Sequence, residues 1–393
     1  MGRHHESSRR GAEPVRILIA IGVPRQKEAG AAGVVLNHAL GLQKLGHSVE
    51  CWFLEDILQR PRRPQRLESL LFAAAAAKRI LRERNRFDVV NLHAPWGCVY
   101  GIWRKLFHPA GSPPYVMTMQ GSEERFVTAM RIEHRKGRAS NFAWLNRAWH
   151  RLYHQTMYNY SIETADYGMV AAREGCILAE VKHQRESGRI WFVPNGTEER
   201  FFLRRSYEEK KPLRLLFVGT WLDRKGIHYL AEAFAQLAAR NADLQLTVAG
   251  CVLPEEAVRK FFPAQMQSRI QVIPFVRRDD MPELYAEHDV FLFPSLVEGM
   301  PLTLLEAMAT GMPVVTTNSS GMADVVEDEV NGLLVPAADS ASLVEATERL
   351  CSSVELREKL GSAGQETMRR YTWEKIARRL EKVLALAVRN ASV

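Results

Sequence analysis

The chain holds 393 residues, 46% hydrophobic and 25% charged, and its 53 Lys and Arg against 45 Asp and Glu give a formal net charge of +8. That length exceeds one ordinary core and predicts two domains of roughly 200 residues each. The five cysteines, Cys51, Cys98, Cys176, Cys251 and Cys351, are scattered without a C-x-x-C pair, which argues against a disulfide framework or zinc site, and no apolar run reaches the roughly 20 residues of a membrane-spanning helix.

Residues 1–13 read as a disordered polar arm, with Glu6 standing where a myristoylation signal needs Ser or Thr. VRILIAIGV (15–23) reads as a first strand rather than a secretory segment, because it is short and lacks a small-residue cleavage site. Gly30 and Gly33 follow in an expected loop before a helix, without the G-x-G-x-x-G spacing of a dinucleotide fingerprint. VECWFLE, DVVNLHA, YVMTMQG, YGMVAA and IWFVPNG continue as strands alternating with helical patterns, the mark of β-α-β units on a parallel sheet. His93, Gln120 with Gly121, and Asn195 with Gly196 fall at the carboxyl ends of these strands, where ligands bind in such sheets. A lone His is more often structural, and Asn-Gly is a common turn.

Positive charge is concentrated in RPRRPQR (60–66) and KRILRERNR (78–86), which flank SLLFAAAAA, and in a basic-aromatic stretch over 131–154. Such segments suit an anionic lipid surface or form a solvated helical face. No recognition motif accompanies them, so nucleic acid is not an expected partner.

The polar stretch 204–212 is the expected linker. A second series follows: LRLLFVG, LQLTVAG, IQVIPFV, VFLFPS, PVVTTN and GLLVPA. In FVGTWLDRKGIHYL (217–230) a strand ends at Gly219 and a helix is entered through Arg224, Lys225 and Gly226, which suits a phosphate or a turn with solvated charges. In EGMPLTLLEAMATGMP (298–313), Pro301 marks a helix start and Gly311 with Pro313 its end. Glu298 then lies in the strand-to-helix loop and Glu306 inside the helix. Two carboxylates so placed suit sugar hydroxyls on either side of a diphosphate; alternatively Glu298 favours the helix N-terminus and Glu306 is solvated.

The expected fold is α/β: two doubly wound parallel-sheet domains of Rossmann-like type facing across a cleft, 14–203 and 213–371, with a helix over 372–393 packing back on the body.

In order, AGAAG…LGLQKLGHSV, VPNGTEERF, LLFVGTWLDRKGIHYLAEAF, ELYAEHDVFLFPSLVEGMPLTLLEAMATGMPVV and NGLLVPAAD resemble family 4 of the retaining glycosyltransferases, two-domain enzymes of the GT-B fold. The resemblance implies that Glu306 binds the nucleotide ribose and Glu298 the transferred sugar, joined by the backbone of Gly299, Met300, Pro301 and Leu302. It also implies that Arg224 and Lys225 neutralise the diphosphate and that Gly30 and Gly219 approach it. His93 and Asn195 fall on the acceptor side. The family often has Arg after the glycine where this chain has Thr220, and His where it has Gln120, a side chain that hydrogen-bonds but carries no proton charge.

The implied reaction moves a sugar from a nucleoside diphosphate to a glycan or lipid-linked acceptor with retention, with neither an essential metal nor a cofactor. The expected place is the cytoplasm, peripheral to the inner membrane face. A sugar-nucleotide epimerase, a phosphorylase and a non-catalytic glycan-assembly protein remain as alternatives, the last motivated by Gln120 and Thr220.

Overall fold

The computed structural model describes residues 13–25, 30–58, 65–107, 109–138, 155–209 and 211–391. The expected polar arm falls outside them apart from Glu13, as do parts of both basic stretches.

All twelve segments read as strands are strands. The first six are β1 Arg16–Ala20, β2 Ser48–Trp52, β3 Val89–His93, β4 Tyr115–Met119, β5 Tyr167–Val170 and β6 Ile190–Phe192, and they form a parallel sheet in the order β2-β1-β3-β4-β5-β6. The second six are β7 Leu213–Val218, β8 Leu244–Ala249, β9 Ile270–Ile273, β10 Val290–Phe293, β11 Val314–Thr317 and β12 Leu333–Val335, parallel in the order β12-β11-β10-β7-β8-β9. Both β3 and β10 are buried throughout, as strands covered by helices on both faces must be, which explains the unbroken apolar run of β10 and leaves Asn91 and His93 of β3 buried as well. The strand order reverses at β1/β3 and at β7/β10, the two places where such sheets open a crevice at their carboxyl ends.

The last helix, Trp373–Ala391, carries Trp373, Ile376, Leu380, Val383, Leu384 and Ala387 at helical spacing. This stripe packs with Ile17, Ile19, Val35 and Leu42, so the helix joins the core of the first half. Gly41 admits it: a Cβ there would collide with that of Ala377. The chain therefore crosses between halves twice. The crossings touch, with Thr197 bridged to Thr372 and its N–H donating to the Tyr371 carbonyl at 2.8 Å.

The stretch expected as the linker is bound to the second half. The Arg205 guanidinium donates to the carbonyls of Tyr285 at 2.6 Å, His288 at 2.7 Å and Thr310 at 3.1 Å, and the Tyr207 hydroxyl donates to Gly311 at 2.6 Å. These carbonyls lie at or just beyond the ends of the Met281–Ala286 and Leu302–Ala309 helices, where the backbone lacks intrahelical donors. No helix among the described residues is long and apolar enough to cross a membrane.

Candidate functional site

Between the halves lies a cleft of about 800 Å³, within the range of small-molecule sites, lined from both sheets' carboxyl ends. Gly30, Gln120 and Asn195 enter from the first half, and Gly219, Arg224, Lys225, Glu298 and Glu306 from the second.

The basic loop forms because β7 ends just before Gly219 and a single turn, Asp223–Lys225, leads into the Ile227–Arg240 helix. Gly226 makes the junction with φ +72°, and a Cβ there would strike the Pro294 carbonyl, so only glycine permits this approach of the loop to the end of β10. The approach brings Arg224 Nη1 to 2.5 Å and Lys225 Nζ to 2.9 Å from Glu298 Oε1, which also accepts from Ser295 Oγ at 2.9 Å. Lys225 is buried and lies 4.8 Å from the centre of the Phe293 ring. Burial pushes the Glu298 carboxyl up, but Lys225 and Arg224 outweigh it and hold the group below its ordinary value. Burial, reinforced by Arg224, lowers the Lys225 ammonium despite Glu298 beside it.

Pro301 caps the Leu302–Ala309 helix, which begins one residue after the expected start, and leaves the first-turn N–H groups of Leu302 and Thr303 at the cleft. Glu306 is 1% exposed, which rules out its reading as a solvated helix residue. Its Oε1 pairs with Arg278 and its Oε2 accepts from the Tyr285 hydroxyl at 3.1 Å. Burial raises the Glu306 carboxyl above its ordinary value even with Arg278 against it.

The halves meet across the cleft by backbone. Gly299 lies so close to the Gln120 carbonyl that a Cβ would overlap it, and the Asn195 amide donates to the Met300 carbonyl at 2.7 Å. Asn195, expected toward the acceptor, thus braces the loop beside Glu298. A second bridge lies beside the cleft, where the Tyr229 hydroxyl donates to Glu133 and accepts from Lys136, both at 2.7 Å.

Two expectations need correction. His93 does not line the cleft: it is 1% exposed at the end of β3, beside the buried His38, whose ring in turn meets Trp373 of the last helix edge-on at 5.6 Å. Gly30 and Gly33 are not both in a loop, since the Gly30–Lys44 helix begins at the first and buries the second. The sequence reading also missed Arg278, Tyr285 and Ser295. Arg278 sits in RRDD (277–280), which looks like a solvated turn, and only its long-range partner gives it meaning.

Residues 199–367 match the model of the family described as glycosyl transferases group 1. A capsular polysaccharide biosynthesis glycosyltransferase of Staphylococcus aureus is 29% identical over 180 residues, 44% of this chain and 47% of its own length, so the chain spans about half of that relative. Among solved structures, sucrose-phosphate synthase from Thermosynechococcus elongatus superposes with a TM-score of 0.76 at 18% identity, covering 94% of this chain and 98% of its own. The Anabaena protein HepE, solved with UDP and glucose, gives 0.66 at 16% identity over 94% and 99%. At these identities the structures speak for the fold alone. With a cleft between two six-stranded parallel sheets and a family match over residues 199–367, that segment belongs to the glycosyl transferases group 1, and the chain as a whole has the two-domain GT-B fold.

Proposed function

We propose that the protein transfers a sugar from a nucleoside-diphosphate sugar to a hydroxyl of a glycan or lipid-linked acceptor, with retention of anomeric configuration, in cell-surface polysaccharide or glycolipid synthesis. The observation that carries the reading is the convergence of Arg224 and Lys225 on Glu298, beside the entrance of the helix that carries the buried Glu306. The polysaccharide assignment of the Staphylococcus relative and the UDP in the Anabaena structure support it.

Among the described residues the three bonds to Glu298 fall on Oε1, which leaves Oε2 to accept a hydroxyl of the transferred sugar. Glu306 accepts the ribose hydroxyls. The bond between the anomeric carbon and the phosphate oxygen breaks as the acceptor oxygen attacks the same face, and the acceptor's proton passes to the leaving phosphate. Charge on the sugar resembles an oxocarbenium ion, as in glycoside hydrolysis. Charge also grows on the diphosphate, where Arg224 and Lys225 stabilise it more in the transition state than in the ground state, each by an amount on the order of 3 kcal/mol. No metal takes part in this scheme. Gln120 and Gly121, touching Gly299, help to position the donor sugar and exclude water.

Incubation of the purified protein with labelled nucleotide sugars and a lipid or glycan extract tests the reading. Label passing to the extract with retained configuration is expected, and epimerised free donor or no transfer from any donor overturns it. The basic stretches 60–86 and 131–154 suit an anionic membrane face carrying the acceptor. Sedimentation with anionic vesicles at low salt checks this, and absence of binding refutes it.

A further inference from the structure

Arg278 stands at the meeting of the donor side of the cleft and the first crossing between halves. Its guanidinium pairs with Glu306 on one side and with Glu198 on the other, the latter through Nη2 at 2.8 Å and Nε at 3.2 Å. It lies 5.1 Å from the centre of the Phe201 ring, and that ring makes an edge contact with Tyr285 at 5.9 Å. Glu198 and Phe201 both belong to the stretch that follows β6 and carries the chain out of the first half. The two groups that hold Glu306, Arg278 and Tyr285, therefore rest on one support.

We propose that Arg278 is a positioning residue for the donor: it holds the Glu306 carboxylate ionised and oriented for a vicinal diol, and the crossing segment holds Arg278 through Glu198 and Phe201. The proposal rests on the donor reading above. A carboxylate oxygen has two lone pairs. Arg278 occupies one on Oε1 and Tyr285 one on Oε2, so each oxygen keeps one, which matches the two neighbouring hydroxyls of a ribose. A buried carboxylate without a cation takes up a proton and loses that double acceptor character. Tyr285 cannot prevent this, since a neutral hydroxyl brings no charge. Arg278 is also the one of the two with its side chain partly open, 24% exposed at the cleft, so it can adjust as the ligand enters.

A structural tie alone would change stability, whereas a positioning role changes how strongly the protein reads the ribose. The measurement is calorimetric titration of the full-length protein with UDP, ADP and GDP and with their 2′-deoxy counterparts. The wild type is expected to bind one ribonucleotide roughly tenfold or more tightly than its deoxy form, the range of a hydrogen bond to a charged acceptor. In Arg278→Gln the ratio falls to about twofold or less, while Arg278→Lys, which keeps the charge, recovers part of it. Glu198→Gln, which frees Arg278 on its far side, lowers the ratio part-way and serves if Arg278→Gln does not fold. Asp279→Asn, at a residue 89% exposed and paired to Arg200, leaves it unchanged. An unchanged ratio in both Arg278→Gln and Glu198→Gln overturns the positioning role and spares the donor reading. A wild type that binds none of the three nucleotides overturns both.

Discussion

Lys225 and Glu298 reach each other at 2.9 Å from the ends of two neighbouring strands, β7 and β10, with Lys225 buried and the Glu298 side chain only 12% exposed. The carboxylate is the shared counter-charge of the Arg224 and Lys225 cations at the cleft. Glu298→Gln removes it and leaves Arg224 and Lys225 facing each other. Loss of one partner of a buried pair costs about 3–5 kcal/mol, to be read by urea denaturation at neutral pH. Because the folded Glu298 lies below its unfolded value, its contribution is complete above the unfolded carboxylate range and is lost as pH falls through the folded value. The acid limb of the stability curve should therefore be steeper in the wild type than in the variant.

His38 and His93 are buried together, and none of their four ring nitrogens has a hydrogen-bond partner among the described residues. Burial lowers His38 to about 4 and, with His38 adding to the effect, His93 to about 3. Both stay neutral when folded and protonate near 6.5 when unfolded. Stability they confer is thus present above pH 6.5 and declines as pH falls toward 4, with a slope approaching two protons. His93→Gln should remove about one proton from that slope in denaturation series between pH 4 and 7.

Gly299→Ala should part the halves at the cleft. A Cβ at this position overlaps the Gln120 carbonyl, and backbone cannot yield as a flexible side chain would. We expect at least a tenfold loss of transfer, since small misplacements of reacting groups are costly, with a larger radius of gyration by X-ray scattering. Transfer at wild-type level would contradict the close approach.

Arg205→Ala should destabilise the second half by about 2–4 kcal/mol, because three carbonyls at helix ends lose their donor at once. Nucleotide affinity of the remaining folded protein should stay within about twofold, as Arg205 does not line the cleft. Denaturation and calorimetry on the same preparation separate the two effects.

The strands were legible because parallel sheets bury both faces and write their positions as short β-branched runs. Glu298, Glu306 and the Arg224–Lys225 loop were legible for a different reason: each sits where a strand passes into a helix, so local pattern fixes its place. His93 satisfies the same local rule, yet it is buried beside His38, itself packed against Trp373 from a distant part of the chain, and no local pattern reports that. Arg278 acquires its role from Glu306 and Glu198, both distant in sequence, and Arg205 looked like linker because its partners are carbonyls, which leave no mark on side-chain composition.

The covering of the first half by the Trp373–Ala391 helix also decides how this polypeptide can be divided. A fragment ending at residue 203 would present Ile17, Val35 and Leu42 to water and should be recovered insoluble, whereas the same fragment with residues 373–391 added back, in trans or through a short tether, should fold. For the same reason the two halves are not contiguous cassettes. A chimera meant to change acceptor choice while keeping the donor site must exchange the tail along with the head, and one that exchanges the head alone tests a mismatched core rather than specificity.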